Sequence, residues 1–110
     1  MLINFDNITE EALENFKGGE KQYNKKGFDD GRNKIMLGRL IPGASIGLHT
    51  HEGDSETIFF LSGSGKVIYD GTEERVSAGL CHYCPTGHEH TMINDGSEDL
   101  VFYAVVPKHE

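Results

Sequence analysis

The sequence predicts an all-β sandwich or barrel with a short helical lead-in. Two observations carry this expectation. After Gly19 the chain breaks into short runs of β-branched and aromatic residues with alternating polarity, separated by Gly, Asp-Gly and Pro. The stretches "YDG" at 69–71 and "NDG" at 94–96 are strong turn signals. Many short strands at close spacing, with no linker, repeat or low-complexity tract, imply one antiparallel β domain over residues 1–110.

The first element is the lead-in "TEEALENFK", residues 9–17, which reads as a helix. Asn7 or Thr9 can cap its start, acidic side chains fill the first turn, and Gly18-Gly19 stops it. Ala12, Leu13 and Phe16 would form its apolar stripe. Strands are then expected at 20–26, 34–41, 45–51, 57–61, 65–69, 74–76, 80–84, 90–94 and 100–106.

Composition narrows the function classes. A chain of 110 residues that is 36% hydrophobic and 25% charged is a folded globular domain rather than a disordered one. Its net charge of −8, with scattered lysines and arginines, opposes binding to nucleic acid or to anionic membrane surfaces. No apolar run approaches the ~20 residues of a membrane span. The acidic start lacks the order of a secretory signal, so a cytoplasmic location is expected. "CHYC" has C-x-x-C spacing, but an extended segment places Cys81 and Cys84 about 10 Å apart and on opposite faces. A disulfide needs Cα atoms within about 7 Å, so two buried or half-buried free thiols are expected.

The stretch "GLHTHEGDSE", residues 47–56, crowds His49, His51 and Glu56 together. These groups line either a solvated turn or a metal ion. On a strand, His49 and His51 share a face, about 6.5–7 Å apart, so both imidazoles can reach one ion. "EGDS" supplies a turn, Glu56 opens the next strand on the same face, and His90 from a distant strand is the fourth donor. Three imidazoles and a carboxylate suit one divalent transition metal ion: Fe, Mn, Ni, Co or Zn.

The spacing of the fixed residues extends this. Residues 43–63 read Gly, five residues, His-x-His, four residues, Glu, six residues, Gly. Residues 79–94 read Gly, five residues, Pro-x-Gly, two residues, His, three residues, Asn. These stretches resemble the two signature motifs of the cupin superfamily at every fixed position, and the fifteen-residue spacer is that of small single-domain bacterial members. The resemblance implies a cupin jelly-roll barrel, or double-stranded β-helix, with the ion inside and His49, His51, Glu56 and His90 as its ligands. It also implies a homodimer in which the lead-in "FKGGEKQYNKKGF" crosses to a neighbouring subunit. Gly63, Gly79 and Gly87 fall where turns need positive φ or close backbone approach.

The remaining histidines are weaker candidates. By alternation His88 shares a face with His90 and is a possible further ligand, hydrogen-bonding partner or proton shuttle, set against a simple hydrogen-bonded residue near the barrel mouth. His82 either belongs to a substrate pocket or is a buried hydrogen-bonded group, and His109 belongs to a solvated tail. These two, His82 and His88, are the catalytic candidates. Ile58, Phe60 and Met92 face inward by parity, while Arg39, Tyr69, Tyr83 and Tyr103 are candidates for anchoring or proton supply. An octahedral ion with four protein ligands keeps two adjacent positions for a small-molecule substrate or ligand. Dioxygenase-type chemistry on an enol or catechol-like compound is the favoured expectation. Metal-dependent isomerase or lyase chemistry and non-catalytic metabolite binding are the alternatives.

Overall fold

The described residues, 1–109 of a computed structural model, carry ten strands. In chain order they are β1 (Glu11–Glu14), β2 (Gln22–Asp29), β3 (Asn33–Leu40), β4 (Ser45–Thr50), β5 (Glu56–Ser62), β6 (Ser64–Tyr69), β7 (Thr72–Ser77), β8 (Cys81–Cys84), β9 (Glu89–Ile93) and β10 (Leu100–Pro107). One sheet is ordered β1-β2-β3-β10-β5-β8 and the other β4-β9-β6-β7. From β3 onward the chain crosses repeatedly between the two sheets, which winds them into a jelly-roll barrel. All nine expected strands are present as β2 to β10. No helix among the described residues is long and apolar enough to cross a membrane.

Alternation places the core between the sheets. Leu40, Ile58, Val67, Leu100 and Phe102 are almost completely buried, and Phe60 and Met92 join them. Each such side chain contributes roughly 1.5–3 kcal/mol by leaving water. Tyr23 stacks on Phe102 with ring centroids 5.9 Å apart, closing the core at the β2 side.

The lead-in differs from the expected helix. Residues Glu11–Glu14 form β1, which pairs antiparallel with β2, and only single 3-10 turns at Phe5–Asn7 and Phe16–Gly18 remain helical. A nine-residue helix is marginal by itself. Pairing with β2 instead gives these backbone groups partners and sets Leu13 opposite Tyr23. Asn15 and Lys17 take left-handed φ of 50° and 56°, which no continuous helix accommodates. Leu13 and Phe16 still pack against the core, whereas Ala12 is exposed. Within the chain, β2 lies between β1 and β3.

Two local features position the site. Between Ile46 and His49 the β4–β9 register slips by one residue: Ile46 faces Met92, but His49 faces His90. This bulge lets both Ile46 and His49 point inward while Leu48 turns out to solvent. Gly47 permits it, because a Cβ there would overlap the carbonyl of Lys17. The "YDG" signal is a two-residue hairpin turn joining β6 and β7, with φ of 47° at Asp70 and 82° at Gly71. The "NDG" stretch makes no hairpin. There Asn94 is buried; its Nδ2 donates to the carbonyls of Leu40 and Glu98, each at 2.8 Å. Its Oδ1 accepts from the Gly96 amide at 2.9 Å, so Asn94 cross-links the loop rather than serving the site. Both cysteines are free thiols; Cys84 is buried as expected, but Cys81 alternates to the outer side of β8 and is exposed.

Candidate metal centre

Three segments bring four donor side chains to one point. β4 carries His49, β5 opens with Glu56, and β9 carries His90 opposite His49. His51 follows β4, held by backbone bonds to His88 at 3.0 Å and from Gly87 at 2.7 Å. The donor atoms of His49, His51, Glu56 and His90 all lie within 4.8 Å of one another. Nε2 of His90 is 3.1 Å from Nε2 of His49, 3.0 Å from Nε2 of His51 and 3.1 Å from Oε1 of Glu56. His51 Nε2 is 3.2 Å from the same oxygen. Donors bound at ~2.1 Å and at right angles about an ion would stand about 3.0 Å apart, which these separations match.

Hydrogen positions lead to the same place. Nδ1 of His49 lies 2.7 Å from the Gly47 carbonyl, which can only accept, so Nδ1 carries the proton. Nδ1 of His51 lies 2.7 Å from Oδ1 of Asp54. Nδ1 of His90 lies 3.0 Å from Nε2 of His82. With these protons directed outward, neutral rings aim their Nε2 lone pairs at one another and at a carboxylate. Such a set is repulsive until a cation or a proton sits among them. The cluster could hold one divalent transition ion.

Charge in the metal-free cluster is unevenly shared. Burial works against a charged Glu56, yet the His51 and His90 imidazoles beside it outweigh burial and hold the carboxyl at about 2. The Glu56 carboxylate raises His51 above its ordinary value against the opposing effect of burial, with Asp54 adding to the rise. Burial lowers His49. A proton on His51 beside a Glu56 carboxylate is thus what an ion would have to displace.

The cluster opens onto a cavity of about 290 Å³. His49, His51 and Glu56 form its floor, and Tyr23, Met36, Ile46 and Val106 form an apolar wall. Lys17, Lys25 and Lys34 also line it.

Neither catalytic candidate reaches this cavity. His82 is buried behind His90, and its Nδ1 points toward Glu74 Oε1 at 3.5 Å. Burial first, then His90, pushes it down to about 4, so it is neutral and accepts the His90 Nδ1–H at its Nε2. His82 is thus buried and hydrogen-bonded. His88 precedes β9 and escapes the alternation that would align it with His90. It stacks on Tyr69 with centroids 5.5 Å apart and pairs with Asp70. His109 is exposed but not a loose tail, because its Nε2 meets the Ser55 hydroxyl at 2.8 Å. Arg39 is engaged by Glu10 and Asp99, and Tyr83 and Tyr103 face solvent. Asp54, the Gly47 carbonyl and the three lysines are functional groups that no motif marks. The parity of Lys25 with buried Tyr23 is the one sequence signal that it turns inward.

Known proteins share this architecture. A family model described as cupin domain matches residues 36–106. The chain is 30% identical over 112 residues to a Thermotoga maritima protein named oxalate-binding protein, covering 96% of this chain and 93% of that one. A crystal structure from Thermotoga maritima, described as a predicted oxalate decarboxylase, matches with a TM-score of 0.92 and 29% identity, covering 98% of this chain and 99% of that chain. KdgF from a Halomonas species has a TM-score of 0.76 at 18% identity, over 98% of this chain and 93% of that one, a likeness of fold alone. Because the family model spans well over half of the sequence and the relatives align nearly end to end, the chain belongs to the cupin family.

Proposed function

We propose that His49, His51, Glu56 and His90 hold one divalent transition metal ion, and that the chain uses it to bind a small carboxylic acid of the oxalate class. The observation that carries this reading is the convergence of three Nε2 atoms and a carboxylate at 3.0–3.2 Å, with His49, His51 and Glu56 opening onto a lysine-lined cavity. The names of the two Thermotoga maritima relatives supply the acid class. When bound, the ion supplies Lewis acidity for carboxylate oxygens. The residues of the chain do the rest. Gly47, Asp54 and His82 fix which ring nitrogen faces the ion, the apolar wall limits water, and the lysines attract an anion.

Binding is favoured over turnover because the proton-transfer candidates His82 and His88 lie outside the cavity. The dioxygenase-type reading is separated by experiment. Ferrous protein loaded without air is expected to bind oxalate, and to consume no oxygen with enols or diketones. Calorimetry with and without a chelator tests the first part: oxalate binding that survives metal removal overturns the proposal. The chain is further proposed to act as a homodimer.

A further inference from the structure

Resting on that reading, we infer that the cavity takes an acid longer than oxalate: a chelating carboxylate head at the ion, an apolar middle, and a second anionic group at Lys25 and Lys34. Oxalate, two carbons and four oxygens, has no hydrocarbon to set against an apolar wall. Yet Tyr23, Met36, Ile46 and Val106 stand beside the donor cluster. Oxygens held against such a wall without partners are costly. The cavity volume of about 290 Å³ lies near the lower bound for drug-sized ligands, roughly 300 Å³, rather than at the scale of a single water or two.

The inner face of the β2–β3 hairpin states the order of groups a ligand meets. On β3, buried Leu40, Gly38 and Met36 give way to exposed Lys34; on β2, buried Tyr23 gives way to half-buried Lys25. Apolar surface thus ends in ammonium groups at the barrel mouth. Among the described residues, the ammonium groups of Lys25 and Lys34 have no hydrogen bond or ion pair, although Glu11 and Asp29 stand opposite them in register. Lys17 is partly engaged, its ammonium 5.6 Å from the Phe16 ring centroid. Lys17, Lys25 and Lys34 line the cavity with Glu52, Asp54 and Glu56, and because Glu11 and Asp29 form no ion pair with Lys25 and Lys34, those two ammonium groups are open to a ligand's anionic group. A dianion with separated charges meets both the ion and the lysines.

The test compares acids on cobalt-loaded protein by titration calorimetry: oxalate, 2-hydroxypentanoate and 2-hydroxyglutarate. The last two share a chelating head and chain length and differ in the distal carboxylate. 2-Hydroxyglutarate is expected to bind about tenfold more tightly than 2-hydroxypentanoate. The ratio is expected to fall toward unity in Lys25→Met/Lys34→Met, which keeps most of each apolar stem, and also as salt is raised in the unaltered protein. Equal affinities in the unaltered protein, or a ratio that survives the double substitution or high salt, overturn the inference. Binding of oxalate without any preference for the longer diacid sinks this inference alone. Failure of all three acids to bind the loaded protein sinks the proposed function beneath it.

Discussion

At the scale of single residues, the three histidines differ in what holds the nitrogen that faces away from the cluster. A carbonyl serves His49, a carboxylate serves His51, and a neutral imidazole serves His90. Replacing His51 by Ala is expected to abolish stoichiometric metal binding, and replacing His88 by Ala to leave it largely intact; elemental analysis after dialysis shows the ranking. Replacing His82 by Phe should weaken metal binding by about 10–100-fold, the usual cost of losing an outer partner. The same substitution bears on acid stability. The folded His82 titrates at about 4 while an unfolded histidine titrates near 6.5, so the unfolded chain takes up more protons between those values. Stability in metal-free protein should therefore fall as pH drops from ~6.5 to about 4, and His82→Phe should remove that part of the decline in urea titrations. Metal retention has a separate pH dependence. Imidazoles bind as neutral bases and Glu56 raises His51, so proton competition should begin above pH ~6.5 and deepen below it. Retention that stays flat from neutrality to pH 5 would contradict histidine ligation.

Among the elements, the bulge in β4 shows what the sequence discloses and what it hides. The His-x-His spacing is visible, and so is the parity that turns Glu56, Ile58 and Phe60 inward. The slip between Ile46 and His49 is not visible, because it depends on Gly47 lying against the backbone of Lys17 from the distant lead-in. Substituting Gly47 by Ala should cost about 1–3 kcal/mol, as overpacked sites do, since backbone rather than a flexible side chain occupies the space. Thermal unfolding measures the loss, and the metal affinity should fall with it because His49 sits just after the bulge. The lead-in itself was misleading for a related reason. "EALE" carries strong local helix preference, but only tertiary pairing reveals that β2 needs a neighbour at its edge. The lysines at the cavity mouth are equally hidden, since no spacing rule relates Lys17, Lys25 and Lys34. Motif-bearing positions were legible because they answer to strand periodicity; contacts between remote segments were not.

On the scale of the whole molecule, the outer face of β3, β10, β5 and β8 carries an apolar patch bordered by Lys26 and Arg39. One row across it runs Leu37, Tyr103, Phe59, Cys81, and the next Ile35, Val105, Thr57, Tyr83. Phe59 is 47% and Tyr83 56% exposed, with Leu61 beside them at 43%. Contiguous apolar surface of this kind marks an association site. Phe5 already lies against Tyr103, ring centroids 5.6 Å apart, and leads back to Leu2 and Met1, which are almost wholly exposed. A second copy suits this surface because two chains of net charge −8 repel through their acidic flanks and approach most closely across an apolar patch without carboxylates. Light scattering should therefore give about twice the 12.2 kDa chain mass, and added salt should tighten the pair by screening the repulsion. Phe59→Asp, on the solvent side of β5 and away from the donor cluster, should yield monomers that still bind metal. A 12.2 kDa species at every concentration of the unaltered protein would refute the dimer, and a Phe59→Asp dimer would move its interface elsewhere.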